Sequence, residues 1–492
     1  MAPASLMGPL TFILCTMYSK PPASNKPAIT FGTPVEPVQV RLQKAMALHQ
    51  SGQLAQAKTL YEGILATQPR NADALSLLAI VATQTRDYTL ALETINKAIK
   101  INPANAGYYL NRGAAQKELK MLTEAVASFD KAIALKPDYA EAYSNRGIVQ
   151  KELKQIDAAI ASLDRAIALK PGHAEAYWNK SNALLISGDY ERGWPLYEWR
   201  WKLNDPNFVP RNYTQPLWLG LESVQGKTVY LYGEQGLGDT LQLCRYAKLV
   251  KDLGARVVME VPLPLQSLLQ RIDGVDEWVL TGTPPPTFDY HCPLVSLPLA
   301  LKTTLSTIPG QEPYLHSNEL LRAQWSQHLG PRTVPRVGLV WSGNPVQLND
   351  HNRSIPLERL LAYLPPGLEY VSLQKDPREA DRATLSACAT VRHLGDDFKN
   401  YDDTAAVCAQ MDVVVSVCTS VAHLSAGLGC TTWVLLAYNS DWRWLHDRTD
   451  SPWYPSAQLY RQATPGDWSE PMSRLQNDLV KLAGQYPGAT PV

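Results

Sequence analysis

The pattern of apolar positions divides the chain into two halves. Residues 38–202 repeat with one fixed period, which predicts pairs of antiparallel helices. From residue 227 onward, short apolar runs such as VGLVWSG (337–343) and MDVVVSV (411–417) alternate with helical segments. Continuous apolar runs of this length predict strands that are buried on both faces of a parallel sheet. The chain is therefore predicted to join an α superhelix to an α/β region.

The first half repeats with a period of about 34 residues, which is the period of tetratricopeptide repeats. Small residues precede each periodic proline by twelve positions, where two helices approach closely, and large residues precede it by eight and fill the groove. Gly113 and Gly147 occupy tight positions in the first helices of two units. The periodic residues are Pro69, Pro103, Pro137 and Pro171, then Ala57, Ala91, Ala125 and Ala159, then Tyr61, Ile95, Phe129 and Leu163.

About four units are predicted, with a degenerate fifth that starts at Ala174 and includes residues 188–201. Terminal units of a repeat array are atypical because they cap the stack. This one is rich in tryptophan, and we expect Trp194, Trp199 and Trp201 to pack on the next domain.

An asparagine also recurs with the period of the repeats, at Asn111, Asn145 and Asn179, on the first helix of each unit. Amide groups in such a row can hold the backbone of an extended peptide. The row resembles the peptide-holding ladder of the nucleocytoplasmic O-linked N-acetylglucosamine transferases. Alternatively, the three amides satisfy neighbouring turns of their own helices. The first two units have Gln43 and Leu77 at this place.

The second half contains two series of alternating strands and helices. Residues 203–226, with three prolines and little periodicity, are predicted to be a linker. Residues 227–315 and 335–485 then predict two Rossmann-like lobes with a cleft between them. Residues 1–37 are predicted to be an N-terminal tail and linker.

A glycine-rich turn follows the first predicted strand of this half, in KTVYLYGEQGLGDTLQLCR, residues 227–245. Its order, G-x-x-G-x-G-D, differs from the dinucleotide fingerprint and lacks the lysine of a phosphate-binding loop. Asp239 stands where a helix begins, so it can cap that helix or face a ligand beyond the strand end.

Composition excludes several classes of function. Lys plus Arg and Asp plus Glu both number 46, so no global field attracts nucleic acid or an anionic membrane. The seven cysteines form no CxxC pair and suit reduced thiols in a cytoplasm, where we place the protein. No apolar run is long enough to span a bilayer, and the apolar segment 6–18 is interpreted as a tail rather than a signal peptide.

Several motifs together resemble the two-lobed GT-B glycosyltransferases, in particular family-nine, heptosyltransferase-like enzymes that are fused to tetratricopeptide repeats. They are GEQGLGDTLQLCRY, WSGNP, NRSIPL, SLQK, VVVSVCTSVAHLSAGLG and DWRWLHDRTDSPWYP. The resemblance implies inverting transfer from a nucleotide-sugar, with the donor on the C-terminal lobe and the acceptor facing the N-terminal lobe. It also implies that Asp239 is the catalytic base, although a helix cap remains the alternative.

The donor's diphosphate is predicted to bind after the strand 411–417. Thr419 and Ser420 begin a helix there, and helix N-termini bind anions. His423 lies one turn further, and packing is its alternative role. Further phosphate contacts are predicted from Asn344, Arg353 and Lys375, each of which is otherwise a solvated surface residue. The family has Asp-Thr-Ser here, whereas this chain has Cys418.

The chain has no D-x-D sequence, so we predict catalysis without a metal or another cofactor. Asp402, Asp403 and Thr404 meet the nucleotide or, as we prefer, cap a helix. Trp442, Trp444 and Trp453 shape the donor pocket or form core. Two other functions stay open: a repeat-based adaptor with a degenerate transferase domain, which Cys418 favours, and a two-lobed epimerase, which only the fold supports.

Overall fold

The computed structural model describes residues 36–310, 313–347 and 349–485. By contacts between residues the chain forms two compact units, one of Met1–Ala183 with Lys202–Asn204 and one of Leu184–Trp201 with Asp205–Val492. Most of the predicted tail, and the prediction for segment 6–18, lie outside the described residues.

The first unit is a series of helices joined by short turns, and the predicted helix pairs are confirmed. The helices are α1 Val38–Gln50, α2 Leu54–Thr67, α3 Ala72–Gln84, α4 Tyr88–Ile101, α5 Ala106–Glu118, α6 Leu122–Leu135, α7 Ala140–Glu152, α8 Ile156–Leu169 and α9 Ala174–Ser187. Helix α9 begins in this unit and ends in the next.

Paired helices approach closely at the predicted glycines. A Cβ atom on Gly113 would lie 2.8 Å from Cδ1 of Phe129, which is fully buried. A Cβ atom on Gly147 would lie 2.7 Å from Cγ of Leu163. The large residue of one helix thus fills the space left by the glycine of its partner, as the repeat pattern predicts.

The turn within each pair also recurs with the period of the repeats, because one residue there has a positive φ. Its φ is 62° at Arg86, 61° at Lys120 and 60° at Lys154, and glycines stand at the matching positions, Gly52 and Gly188. Residues with a side chain rarely adopt this left-handed conformation. The turn at Gly188 shows that the degenerate fifth unit keeps the geometry of the others.

After the end of α9, the second unit contains α10 Tyr190–Tyr197 and all but the last residue of the 3-10 helix Glu198–Lys202. Its first sheet is parallel and has the order β3-β2-β1-β4. The strands are β1 Thr228–Tyr232, β2 Arg256–Val261, β3 Glu277–Leu280 and β4 Tyr290–Pro293. The α-helices of this part are α11 Leu237–Leu243, α12 Tyr246–Asp252, α13 Gln266–Leu269, α14 Leu297–Ala300 and α15 Glu319–Leu329.

The helix predicted to begin at Asp239 is divided into α11 and α12, and side chains donate hydrogen bonds to two of its backbone carbonyls. Arg245 Nε donates to the carbonyl of Gln242 at 2.7 Å, and the Tyr314 hydroxyl donates to that of Leu241 at 2.9 Å. These carbonyls no longer accept from the N–H groups one turn further, so the helical ladder is interrupted.

The second sheet has the order β10-β11-β9-β8-β5-β6-β7 and is parallel except for the antiparallel pair β10 and β11. The strands are β5 Arg336–Val340, β6 Glu369–Ser372, β7 Val391–His393, β8 Val413–Val417, β9 Thr432–Leu436, β10 Asp450–Ser451 and β11 Tyr454–Arg461. Its helices are α16 Asp350–Arg353, α17 Leu357–Leu361, α18 Glu379–Ala387, α19 Tyr401–Cys408, α20 Ser420–Gly427 and α21 Ser469–Gly484.

Strands β5, β8 and β9 are buried along their whole length, as their continuous apolar runs predict. The last helix, α21, packs on the second sheet, since Met472, Leu475 and Leu479 join the core cluster of that sheet.

We expect Gly113→Ala to destabilise the repeats by about 1–3 kcal/mol, because the added methyl group overlaps the Phe129 ring. Gly172→Ala is the matched control: a Cβ atom there meets nothing within 4 Å, so its stability should be unchanged or slightly higher. Thermal unfolding followed by far-UV circular dichroism measures both. Equal melting curves for the two variants would contradict this packing.

Candidate functional site

Both sheets reverse their strand order near the centre, and the predicted site residues follow the strands found there. In the first sheet β1 lies between β2 and β4, and in the second β5 lies between β6 and β8. Ligands of open α/β sheets bind beyond the carboxyl ends of strands at such switch points. The glycine turn follows β1, and the turn of Cys418, Thr419 and Ser420 follows β8.

Asp239 lies in the first turn of α11 and has both carboxylate oxygens occupied. Oδ2 accepts from the backbone N–H of Gly236 at 2.8 Å, which is the geometry of a helix cap. Oδ1 accepts from the guanidinium of Arg443. Burial raises the pKa of the Asp239 carboxyl, although Arg443 acts in the opposite direction.

Arg443 connects the glycine turn to the second sheet, and it was not among the predicted site residues. Its buried guanidinium donates to Asp239, to the side-chain carbonyl of Gln242, and to Asp441 at 2.7 Å. It also stacks on the Trp442 ring, 4.1 Å from the centroid. The only sequence signal is its place between two tryptophans, in a motif that the resemblance includes.

The first turns of α11 and α20 touch each other. A Cβ atom on Gly238 would lie 3.1 Å from Cδ2 of His423 and 3.4 Å from Cα of Ser420. A larger residue at this position would require His423 to move by a few tenths of an ångström, so glycine favours this close approach. The structure thus places the glycine turn against Ser420 and His423, two of the predicted phosphate-binding residues, and Thr419 directly precedes α20.

The N-terminus of α20 has unpaired backbone donors. The Thr419 side chain does not cap the helix, and its hydroxyl pairs with Ser416 at 3.1 Å. Within the described part of the chain, the N–H groups of Ser420 and Val421 have no acceptor. The Ser420 hydroxyl pairs with that of Tyr401 at 2.6 Å. Free N–H groups and the helix dipole together favour an anion at this position.

His423 is buried beside these donors. Its Nδ1 pairs with the Tyr454 hydroxyl at 2.8 Å, and its ring stacks on Trp444 with centroids 5.3 Å apart. Burial, together with Arg443 and Arg245, holds the pKa of the His423 imidazole well below its usual value. The neutral ring therefore keeps one nitrogen, Nε2, for a further partner.

Of the phosphate-binding residues predicted after β5 and β6, only some lie near the turn that follows β8. Arg353 donates to the backbone carbonyl of Cys418 at 2.8 Å and pairs with buried Asp350 at 3.2 Å. Asn344 accepts from the N–H of Val346 at 3.0 Å, within its own turn. The exposed Lys375 donates to the carbonyl of Lys399 at 3.2 Å. Arg353 alone of these three contacts the turn after β8.

The acidic pair at α19 and the tryptophans have structural partners. Asp403 caps α19, accepting from the N–H of Lys399 at 2.9 Å, and also accepts from Trp325 at 3.0 Å. Asp402 pairs with Arg271. Capping, the preferred role, is thus observed for Asp403. Core packing is likewise observed for the tryptophans, since all three are buried: Trp442, Trp444 and Trp453.

Glu234 lies inside the glycine turn and was missed by the sequence reasoning. Its side chain is 7% exposed, and Oε1 accepts from Arg200 at 3.1 Å. Oε2 is buried without a hydrogen-bond partner among the described residues. Burial raises the pKa of Glu234 to about 7. The signal that could have found it is an acidic residue between Gly233 and Gly236, within the turn that follows a buried strand.

The asparagine row differs between units. The Asn179 amide donates to the carbonyl of Glu175 at 2.8 Å, so this residue satisfies its own helix. The amides of Asn111 and Asn145 are half-buried and have no hydrogen bond to any described residue. Two of the three amides are thus available to a ligand.

The described residues contain neither a metal-binding cluster nor a membrane-spanning helix. In residues 36–310, 313–347 and 349–485, no three His, Cys, Asp or Glu side chains lie close enough to hold a metal ion. Over the same ranges, no helix has the length and apolarity that crossing a membrane requires.

The first half of the chain matches known tetratricopeptide repeats. A family profile described as "Tetratricopeptide repeat" matches residues 42–106 and 144–197, and one described as "TPR repeat" matches residues 117–154. Protein FlbA of Caulobacter vibrioides is 25% identical in an alignment of 334 positions, which covers 62% of this chain and 54% of FlbA. The chain thus spans about half the length of this curated relative. The match extends beyond the repeats into the α/β region.

Solved structures similar to the chain cover about a third of it. A tetratricopeptide repeat protein of Thermus thermophilus is 25% identical with a TM-score of 0.31, over 34% of this chain and 91% of that one. PilW, described as a type IV pilus biogenesis factor, is 25% identical with a TM-score of 0.32, over 34% of this chain and 76% of that one.

We expect Glu234→Gln to change how stability depends on pH. A carboxyl whose pKa rises from 4.5 in the unfolded chain to about 7 in the fold stabilises the fold below the lower value. That contribution is lost as the pH rises through 7. The variant should therefore gain up to about 3 kcal/mol relative to the parent between pH 5 and 8.

Denaturant unfolding at the two pH values measures this difference. Glu222→Gln, which removes an exposed carboxylate of the same unit, should show no such gain. A difference between Glu234→Gln and the parent that is the same at both pH values would show that Glu234 does not titrate near neutrality.

Proposed function

We propose that the protein is an inverting, metal-independent glycosyltransferase with a GT-B fold. It moves a sugar from a nucleotide-sugar donor to a protein or glycan acceptor that the repeats present. The observation that carries the proposal is the contact between the first turns of α11 and α20, with the Asp239–Arg443 pair beside it. A turn from each parallel sheet thereby meets at one point, where two substrates can be aligned.

The donor's diphosphate is proposed to bind at the N-terminus of α20. The free N–H groups of Ser420 and Val421 supply two donors, and the helix dipole adds positive potential. Arg353, held against the Cys418 carbonyl, brings a full positive charge to the same turn. If the Tyr454 hydroxyl donates to Nδ1 of His423, the proton of that neutral ring is on Nε2, which can then donate to a phosphate oxygen.

These donors also suit the leaving group. As the bond between the sugar and the diphosphate breaks, negative charge grows on the diphosphate oxygens, and fixed N–H and guanidinium groups stabilise that charge. Asp239 is the proposed base, or, through Arg443, a group that fixes the turn against the second sheet. Asn344 and Lys375 remain proposed phosphate contacts without a supporting contact.

The repeats are proposed to bind the acceptor. Tetratricopeptide repeats are protein-interaction modules, and an extended peptide could pair with the amides of Asn111 and Asn145. Asn179 could join them by exchanging its bond to the Glu175 carbonyl for one to the peptide.

Cys418 favours a second function, that of a repeat-based adaptor with a non-catalytic transferase domain. Its Sγ accepts from the indole of Trp444 at 3.1 Å, and burial raises the pKa of the thiol. An uncharged thiol thus occupies the position where the resembled family has a carboxylate. The adaptor predicts no turnover of any nucleotide-sugar, whereas the transferase predicts binding and slow hydrolysis.

Isothermal calorimetry with UDP, GDP, CDP, ADP and TDP, in the presence of a chelator, tests the donor site. We expect one of these nucleotides to bind, and His423→Ala to weaken it by about 1–3 kcal/mol, because a hydrogen bond to a charged group is lost. His328→Ala is the matched control, since the exposed His328 lies on α15 and packs its ring against Trp325. Unchanged affinity in His423→Ala would remove this residue from the site, and no binding at all would favour the adaptor.

Changing Asn111, Asn145 and Asn179 together to Ala should leave nucleotide binding intact. Transfer of labelled sugar to acceptor proteins in a lysate of the source cell should fall. The reason is that the variant binds the acceptor more weakly, while the rate of the chemical step is unchanged. A suitable control replaces Gln43, which stands at the same place in the first unit. Equal labelling by the triple variant and the parent would contradict the ladder.

A further inference from the structure

We propose that Glu234, oriented by Arg200, takes the proton from the acceptor hydroxyl in the transfer reaction. The inference rests on the proposed function and assigns its proton acceptor to a residue other than Asp239. Both residues belong to the same glycine turn and helix start, so the question is which carboxylate has an oxygen free to accept a proton.

Asp239 has no carboxylate oxygen without a hydrogen-bond partner. One oxygen accepts from the capped N–H of Gly236, and the other from the guanidinium of Arg443. Protonation of either oxygen would give up a helix cap or a buried ion pair. A buried arginine that loses its carboxylate partner is costly, so a substrate proton taken up by Asp239 would break contacts that hold the turn.

Glu234 has one carboxylate oxygen that is not hydrogen-bonded. Oε1 is held by Arg200, while Oε2 has no partner among the described residues although the side chain is 7% exposed. Buried polar atoms in native proteins are almost always paired, so an unpaired carboxylate oxygen indicates a missing partner. Glu234 lies in the turn after β1, at the switch point of the first sheet, where a ligand is expected. A substrate hydroxyl has the donor that this oxygen lacks.

Arg200 is a positioning residue. It is fully buried, and its guanidinium donates to Glu234 at 3.1 Å, to Glu198 at 2.6 Å and to Ser296 at 2.7 Å. Ser296 follows β4, the neighbour of β1. The network therefore fixes Oε1 from both sides of the switch point and leaves Oε2 as the exchangeable atom.

The electrostatic environment supports this role. Burial raises the pKa of Glu234 to about 7, and the nearby carboxylates raise it while Arg200 lowers it. A general base works best when its pKa is close to the working pH. The ionisable groups that act on Glu234 or respond to it are Arg200, Asp239, Glu198, Tyr232 and Cys292.

The proposed step balances without a further reactant. The acceptor hydroxyl gives its proton to Oε2 of Glu234, and its oxygen forms a bond to the anomeric carbon of the donor sugar. The bond from that carbon to the diphosphate oxygen breaks, and its electron pair leaves with the nucleoside diphosphate. Glu234 later returns the proton to solvent.

The test compares Glu234→Gln, Glu234→Asp and Glu198→Gln with the parent, using the nucleotide-sugar of whichever nucleotide binds in calorimetry. Release of nucleoside diphosphate is measured between about pH 6 and 9. The parent's kcat should rise through about pH 7 as Glu234 loses its proton. Glu234→Gln should lower kcat by about 10²–10⁴-fold, abolish this rise and keep nucleotide affinity.

The other variants separate chemistry from structure. Glu234→Asp should keep the rise near pH 7 at a lower kcat, because a carboxylate remains. Glu198→Gln removes a carboxylate from the same arginine without altering the turn, and it should also keep the rise. Normal kcat and an unchanged pH profile in Glu234→Gln, with Asp239→Asn inactive, would overturn the proposal for Glu234 and leave the transferase standing. A parent that binds no nucleotide would overturn both.

Discussion

The structure around the site depends on one buried guanidinium, that of Arg443. It donates to Asp239 and Gln242 on α11 and to Asp441 beyond β9, so one side chain joins the helix of the first sheet to the loop of the second. A charge taken out of water is tolerated only when its partners are in place. The contact between the two turns and the pairing of Arg443 therefore stabilise each other.

The same constraint explains how two acidic residues of one turn differ. Both carboxylate oxygens of Asp239 are hydrogen-bonded, one to Arg443 and one to the backbone at the start of its own helix. Glu234 instead shares Arg200 with Glu198 and keeps one oxygen unpaired. Burial of the unpaired carboxylate oxygen disfavours the charged form of Glu234, so this residue takes up a proton near neutrality.

The sequence could predict whatever depends on local spacing. The repeat period indicated the helix pairs and the contact of Gly113 with Phe129, and continuous apolar runs located β5, β8 and β9. Contacts between distant residues left no such signal. Arg443 lies 204 residues from Asp239, and nothing in either neighbourhood indicates the other. The end of α11 likewise depends on the distant Tyr314. The sequence therefore predicts the glycine turn but not the residues that contact it.

The packing of the fifth repeat explains why its sequence departs from the repeat pattern. Its second helix, α10, belongs by contacts to the α/β unit, although the sequence pattern groups it with the repeats. Trp194 packs on Trp442 with ring centroids 5.0 Å apart, and the Tyr190 hydroxyl accepts from the indole of Trp453 at 2.8 Å. A helix that fills an α/β core cannot also keep the residues that a further repeat requires. Arg200 follows this helix and donates to Glu234. The segment after the last repeat helix thus contacts the glycine turn, where the proposed chemistry takes place.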